Sequence, residues 1–300
     1  MPMRLSTVIL PIYRWAEGRK VWEGAEELGF HAAYTYDHLS WRVPFRDRTW
    51  FGAIPTLTAA AGATTSIRLG TLVTSPNFRH PVPLAKELMT LDDVSGGRVT
   101  LGIGAGGTGF DALVLGQEAW SPRERADRFA EFVELLDRLL SQGDITFGGS
   151  YYSAVEARNI PGCVQSPRLP FAVAATGPRG MKLAAKYGQA WVTTGDPALY
   201  ETGTPQQSLA AIRDQVERLG SALRDAARDP AGVPKVLLTG FTPDRAAPFS
   251  SLDAFVDFAG RHLEAGIDEI VMHWPIPDSD FGYDHAIFEQ IAIEAPGQLG

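Results

Sequence analysis

Amphipathic helical stretches alternate along this chain with short apolar runs. Phe129, Phe132, Val133, Leu136, Leu139 and Leu140 recur at three- and four-residue spacing, which puts them on one helical face. Leu209, Ile212, Val216 and Leu219 mark a second such face, and Phe255, Phe258, Ala259 and Leu263 a third. The runs at 67–73 and 236–238 suit parallel strands covered by helices on both sides. Four helical stretches stop at a glycine with a strand just beyond: Gly29 before 32–36, Gly97 before 99–101, Gly188 before 190–193 and Gly266 before 269–272. Glycine takes the left-handed backbone that ends a helix, so each reads as a helix cap followed by a strand. Ser121-Pro122-Arg123-Glu124 reads as a capping box with proline at the first helical position.

The count is eight strands, near 6–10, 32–36, 68–74, 99–103, 171–175, 190–193, 236–239 and 269–273, most of them separated by helices. Eight alternating βα units in a chain of 300 residues predict a (β/α)8 TIM barrel, a single α/β domain over residues 1–300. A long irregular insertion at about 143–170, after the fourth helix, breaks the rhythm. It holds Pro161, Pro167, Pro170 and the pair Tyr151-Tyr152. A loop of that length in a compact domain is expected to be functional, such as a lid.

Composition narrows the field. With 27 basic and 35 acidic residues the net charge is −8, which argues against a general phosphate-neutralising surface and so against nucleic-acid binding. No apolar run approaches the roughly 20 residues of a membrane helix. The first ten residues lack the apolar stretch of a secretory signal, so a soluble cytoplasmic protein is expected. Cys163 is the only cysteine, which leaves no disulfide framework or cysteine-based zinc site, and no His/Glu/Asp spacing suggests a metal. Neither G-x-S-x-G nor a P-loop occurs, which weakens serine-hydrolase and nucleotide-hydrolase readings.

In a TIM barrel the chemistry sits at the C-terminal ends of the strands. The second strand ends in Asp37-His38, with Trp41 and Arg42 beyond; the third runs into Thr74-Ser75-Pro76 and then Phe78-Arg79-His80-Pro81. Histidine moves protons near neutral pH, so His38 is the first candidate, although Asp37-His38 also suits a turn and a cap. His273, ending the last strand, is a second candidate. His80 suits loop packing, His262 lies on an apolar helical face, and His31 and His285 have no supporting context. Residues 102–107 match G-x-G-x-x-G, but no helix opens directly after them and this is the fourth strand, so a dinucleotide fold fits poorly. The alternative is a close backbone approach to a flat ligand. Thr176-Gly177-Pro178-Arg179-Gly180 lies between a strand and a helix start, where backbone N–H groups bind phosphate; a plain βα turn is the other reading.

Together these segments resemble the luciferase-like monooxygenase family. The resemblance rests on Glu27-Leu-Gly-Phe with Tyr36-Asp37-His38, on the run from Arg68 to Pro81, and on Leu91-Asp with Ser95 to Gly106. Ser121-Pro-Arg-Glu-Arg, Thr146-Phe-Gly-Gly with Tyr151-Tyr152, Ala175 to Gly180 and Ala265 to His273 continue it in order over nearly the whole chain. It implies a flavin- or deazaflavin-dependent TIM barrel. Asp-His after the second strand and Leu-Val-Thr-Ser-Pro after the third most resemble the branch using coenzyme F420, with FMN as the alternative cofactor. The resemblance implies a non-proline cis peptide at Leu72–Val73, forming a bulge behind the ring. It puts Asp37, His38 and Thr74 around the ring system, and Ala175, Thr176, Gly177 and Thr193 near the ribityl phosphate, with Gly106 and Arg179 also expected to bind cofactor.

The expected chemistry is hydride transfer at the deazaflavin C5, with His38 in the proton role, Asp37 beside it and Trp41 shaping the substrate side. Gly107 and His273 are expected to meet the substrate. Sugar-phosphate dehydrogenases of this branch carry a glutamate where this chain has Gly107 and a lysine where it has Asp196. Those departures argue against a phosphorylated sugar and leave the acid–base partner of His38 open. The short connection 240–250 points to an open pocket. An FMN-dependent monooxygenase fed by a separate reductase is the second reading, and a flavin carrier without turnover the third. A homodimer acting on a small molecule is expected. F420 carries a phosphate and a polyglutamate tail, so an acidic protein needs a local basic region for it. Arg179, Lys182 and Lys186 are the candidates, with Arg42 and Arg79 at neighbouring mouths.

Overall fold

A computed structural model describes residues 3–107 and 109–300. Eight parallel strands close into a barrel: β1 (Arg4–Val8), β2 (Ala32–Thr35), β3 (Arg68–Thr74), β4 (Val99–Gly104), β7 (Phe171–Ala174), β8 (Ala190–Thr193), β9 (Lys235–Leu238) and β10 (Glu269–His273). Each pairs with its neighbours in sequence order, and β10 closes on β1 with Val8 opposite His273. The missing numbers, β5 (Asp144–Gly148) and β6 (Ser153–Arg158), form a separate antiparallel hairpin. Helices α1 (Trp15–Glu27), α2 (Ala53–Ala63), α3 (Pro81–Val94), α5 (Pro122–Ser141), α6 (Pro178–Tyr187), α7 (Pro205–Asp225), α8 (Leu252–Glu264) and α9 (His285–Gln298) lie between and after the barrel strands, with a five-residue helix, α4 (Phe110–Val114), inserted after β4.

The apolar stripes do the expected packing. All six predicted residues of α5 are buried, as are Phe255, Phe258 and Ala259 of α8. The first strand begins two residues earlier than predicted: Arg4 pairs with Glu269, while Ile9 and Leu10 leave the strand but stay buried. Gly29, Gly97 and Gly266 have positive φ, as helix-ending glycines do. Gly188 does not; its φ is −79°, and a Cβ there would press on the Ala184 carbonyl, so close approach selects glycine. At α5 only half of the predicted capping box forms. The Ser121 hydroxyl accepts from the Glu124 N–H at 3.2 Å, but the Glu124 carboxylate is taken by Arg128 at 2.9 Å. A full box caps α7 instead, from Thr204 and Gln207.

The insertion at 143–170 is more ordered than its prolines suggest. Glu131, on α5, accepts the N–H groups of Ser150, Tyr151 and Tyr152 at 2.6–2.8 Å, which pins the hairpin's turn to the barrel. Tyr152 packs edge-on against Phe132 and His80. His80 itself caps α3, its Nδ1 accepting from Val82. Among the described residues no helix is long and apolar enough to cross a membrane.

Glu26, near the end of α1, ties that helix to the loop entering β3. Its carboxylate accepts the N–H groups of Thr65, Ser66 and Ile67 and the Ser66 hydroxyl. Partial desolvation works against the charge, but these donors outweigh it and hold the carboxyl at about 2. The folded state therefore releases this proton more readily than the unfolded chain, so the stabilisation is complete above the ordinary carboxylate range and is lost as pH falls towards 2. Glu26→Gln is expected to cost about 1–2 kcal/mol at pH 7. Denaturant melts of both proteins between pH 7 and 2 check this: the gap narrows as the pH drops, and a pH-independent gap contradicts it.

Candidate active site

A cleft of about 680 Å³ opens at the C-terminal ends of the strands. Its wall includes Tyr36, His38 and Trp41 after β2, Leu72 and Val73 of β3, and the segment 104–107 after β4. Ala175 to Gly180 after β7, and Thr193 and Thr194 at β8, complete it. Of the residues singled out from sequence, His38, Trp41, Leu72, Val73, Gly106, Gly107, Ala175, Thr176, Gly177, Arg179 and Thr193 all lie on this wall.

The floor is set by β3 and β4. Their register slips between Thr71 and Thr74, and the Leu72–Val73 peptide within the slip is cis. The slipped backbone comes so close to β4 that a Cβ on Gly102 would collide with the Thr71 carbonyl. The first glycine of the G-x-G-x-x-G match thus serves strand packing, and the chain has no dinucleotide fold around it. Gly106, at φ +81°, lies under the Asn77 amide, which leaves no room for a side chain.

His38 is held from behind. Its Nδ1 lies 2.9 Å from Asp111 Oδ2, and Asp111 Oδ1 accepts the Leu39 N–H at 2.7 Å. A carboxylate only accepts, so Nδ1 carries the hydrogen, and in the neutral ring this leaves Nε2 as the acceptor. Asp111 is 1% exposed and the His38 side chain 21%. Trp50 Nε1 donates to the His38 carbonyl at 2.8 Å, fixing the backbone as well. Asp111 escaped the sequence reading. Its one signal was an acidic residue four positions beyond Gly107, in a segment showing no helical periodicity.

Asp37 and Thr74, expected around the ring, lie off the cleft wall. Asp37 is buried and its two oxygens take Arg79 Nη2 at 2.7 Å and Nε at 3.1 Å, with the Thr74 hydroxyl donating at 2.8 Å. With its oxygens engaged in this way the carboxylate braces the ends of β2 and β3. His273 is also off the wall. It is stacked on Phe281 with ring centres 3.6 Å apart, and its Nε2 meets the Tyr36 hydroxyl at 2.7 Å. Burial, with help from the Arg42 cation, drives His273 down to about 3, so it stays neutral. It supports Tyr36 from below the cleft and does not contact it. His262, as expected, is buried, bonded to the Phe258 carbonyl.

The α6 end of the cleft suits an anion. Gly177 caps α6 without a side-chain bond, and the Arg179 and Gly180 amides have no partner among the described residues. Of the five basic candidates only Arg179 lies on the wall, paired with Asp127. Lys182 and Lys186 lie off it, Arg79 is spent on Asp37 and Glu87, and Arg42 sits among Trp41, Tyr200 and Phe241. The Thr193 hydroxyl is bonded inward to Gln215 at 2.6 Å. No described residue of the 143–170 insertion lines the cleft, so the insertion is not a lid over it.

Comparison with known proteins agrees with this layout. The profile of the luciferase-like monooxygenase family matches residues 3–242. An F420-dependent glucose-6-phosphate dehydrogenase of Microbacterium testaceum is 30% identical over 211 residues, 67% of this chain and 58% of that protein. The protein of the same description from Beutenbergia cavernae is 37% identical over 178 residues, 57% and 50% of the two chains. This chain thus spans little more than half the length of these curated relatives. An F420-dependent secondary alcohol dehydrogenase, solved with an F420–acetone adduct, superposes with a TM-score of 0.78 over 98% of this chain and 100% of its own, at 21% identity. That likeness speaks for the fold. With 240 of 300 residues under one family profile and the strand-end residues on a common cleft, the chain belongs to the luciferase-like monooxygenase family.

Proposed function

We propose that this chain is a coenzyme F420-dependent oxidoreductase acting on a small alcohol or carbonyl compound. The observation that carries the reading is His38, its Nδ1 bound to buried Asp111, on the wall of a cleft floored by the β3 bulge. The F420-dependent relatives support the choice of cofactor. A homodimer in the cytoplasm belongs to the same proposal.

The residues present suit such a cofactor. In this reading Leu72 and Val73 back the ring, with Gly106 on the wall beside it. Ala175, Thr176, Gly177 and Arg179 receive the phosphate at the α6 terminus, where unpartnered amides await an acceptor. Thr193 closes that end. When bound, F420 gives or accepts a hydride at C5, which needs no oxygen. His38 Nε2 takes the proton of the substrate hydroxyl as that carbon becomes a carbonyl, and returns it in the reverse direction. Asp111 holds the imidazole in the tautomer this requires and stabilises its protonated form. Trp41, packed edge-on to Tyr36 at 5.0 Å, shapes the substrate side. Asp37 remains a positioning residue through Arg79 and Thr74.

Titration of the purified protein with oxidised F420 and with FMN is expected to show clear preference for F420; tighter FMN binding overturns the reading in favour of a monooxygenase. His38→Ala is expected to lower kcat at least about 100-fold with F420 affinity nearly unchanged. Detectable turnover that His38→Ala leaves intact would remove His38 from the mechanism, and no turnover with any alcohol would favour a carrier. Asp111→Asn is expected to lower kcat about 10- to 100-fold. Because Asp111 acts through His38, the loss falls on kcat and not on KM; equal losses in KM and thermal stability would mark a merely structural residue.

A further inference from the structure

The five-residue helix α4 has two unlike sides. Each residue turns the helix by about 100°, so Phe110, Leu113 and Val114 share one face while Asp111 and Ala112 point elsewhere. The first three are 36%, 71% and 55% exposed; Asp111 and Ala112 are 1% and 8%. The inner side is anchored through Asp111 to His38 and to the Leu39 N–H. Leu39, brought beside α4 by that bond, is itself 38% exposed. Phe110 also lines the cleft. An apolar surface therefore runs from the cleft wall out along the open face of α4, a contiguous patch of the kind that marks a binding site.

Charged groups on the wall itself are few. Among the described lining residues, the acidic and basic side chains are those of His38, Asp111 and Arg179. The first two are bonded to each other, and Arg179 is paired with Asp127 at the α6 end. Arg42 stands close to this end of the cleft, over Trp41 and Phe241 of its wall and with a buried Nη2 that has no hydrogen-bond partner among the described residues, so charge alone does not select the substrate.

We propose that the substrate carries an apolar chain that leaves the cleft past Phe110 and lies on Leu113 and Val114, with its reacting hydroxyl or carbonyl at His38. The inference rests on the oxidoreductase reading above and names its substrate class. The chain is long enough to span α4, about 7.5 Å for five residues. Covering α4 restrains the same short helix that carries Asp111, so chain length registers in kcat as well as in KM.

The test is calorimetric titration of the protein, saturated with oxidised F420, with methyl ketones from propan-2-one to decan-2-one. A fully buried methylene is worth about fourfold in affinity, and one resting on an open stripe about twofold, so decan-2-one is expected to bind about 100-fold more tightly. A Leu113→Ser/Val114→Ser double variant, changed only at exposed positions and checked by circular dichroism, is expected to cut that preference at least tenfold. A flat series in the parent, or an unchanged preference in the variant, overturns the proposal. So does a flat series accompanied by a dimer that the variant loses, which assigns the patch to a second copy of the chain. A steep, variant-sensitive series without turnover of the matching alcohols keeps the apolar-chain site and sinks the oxidoreductase reading.

Discussion

The cleft depends on how closely two backbones approach. β3 can bulge towards β4 only because position 102 has no side chain to meet the Thr71 carbonyl. The register slip this permits brings Leu72 and Val73, consecutive residues that a regular strand sends to opposite faces, onto one cleft wall. A barrel interior is otherwise filled with side chains. Here glycines at 104, 106 and 107 line the mouth beside the bulge, and the space above becomes a cleft in which a flat ring can lie.

A second constraint holds the reacting groups above that floor. Asp37 is buried, and a buried carboxylate persists only when paired and hydrogen-bonded; Arg79 and Thr74 supply both. This bond set fixes the ends of β2 and β3 to one another. His38 follows directly in sequence, so its backbone inherits the same anchor, and Trp50 adds another through the His38 carbonyl. Asp111 then approaches from α4 and puts the hydrogen on the imidazole Nδ1. The histidine is thus oriented by contacts from three separate parts of the chain, the preorganisation that proton transfer requires.

These relations explain what could be read in the sequence. Periodicity located the barrel because each helix and strand must bury a face, and all six apolar positions of α5 are inside. Strand ends located the cleft because barrel geometry gathers them there, and most of the named residues lie on its wall. What escaped depends on contacts between distant segments. Asp111 is distinguished only by the fold that brings it 73 positions back to His38. Asp37 looked catalytic because nothing local reveals that Arg79 will consume it. The hairpin in 143–170 was hidden by prolines and weak alternation, since its order comes from Glu131 on another element. Gly188 caps α6 as read, but it is chosen for the space it leaves and not for a left-handed backbone.

The net charge of −8 takes on a different meaning inside this structure. Of the cations expected to meet an anionic cofactor, Arg79 is committed to Asp37; elsewhere Arg125 is bound to the carbonyls of Gly106 and Gly107, and Arg168 to Asp137 and nearby carbonyls. Total charge therefore says little about what the cleft attracts. The attraction for an anion at α6 comes mainly from oriented peptide groups, which carry partial positive charge at a helix N-terminus without adding a basic residue. Pro178 at the first helical position offers no N–H, so the free amides begin at Arg179, whose side chain stands on the same turn. Backbone dipole and the Asp127-paired guanidinium of Arg179 stand together there. An anion can be held there by a chain whose net charge is negative.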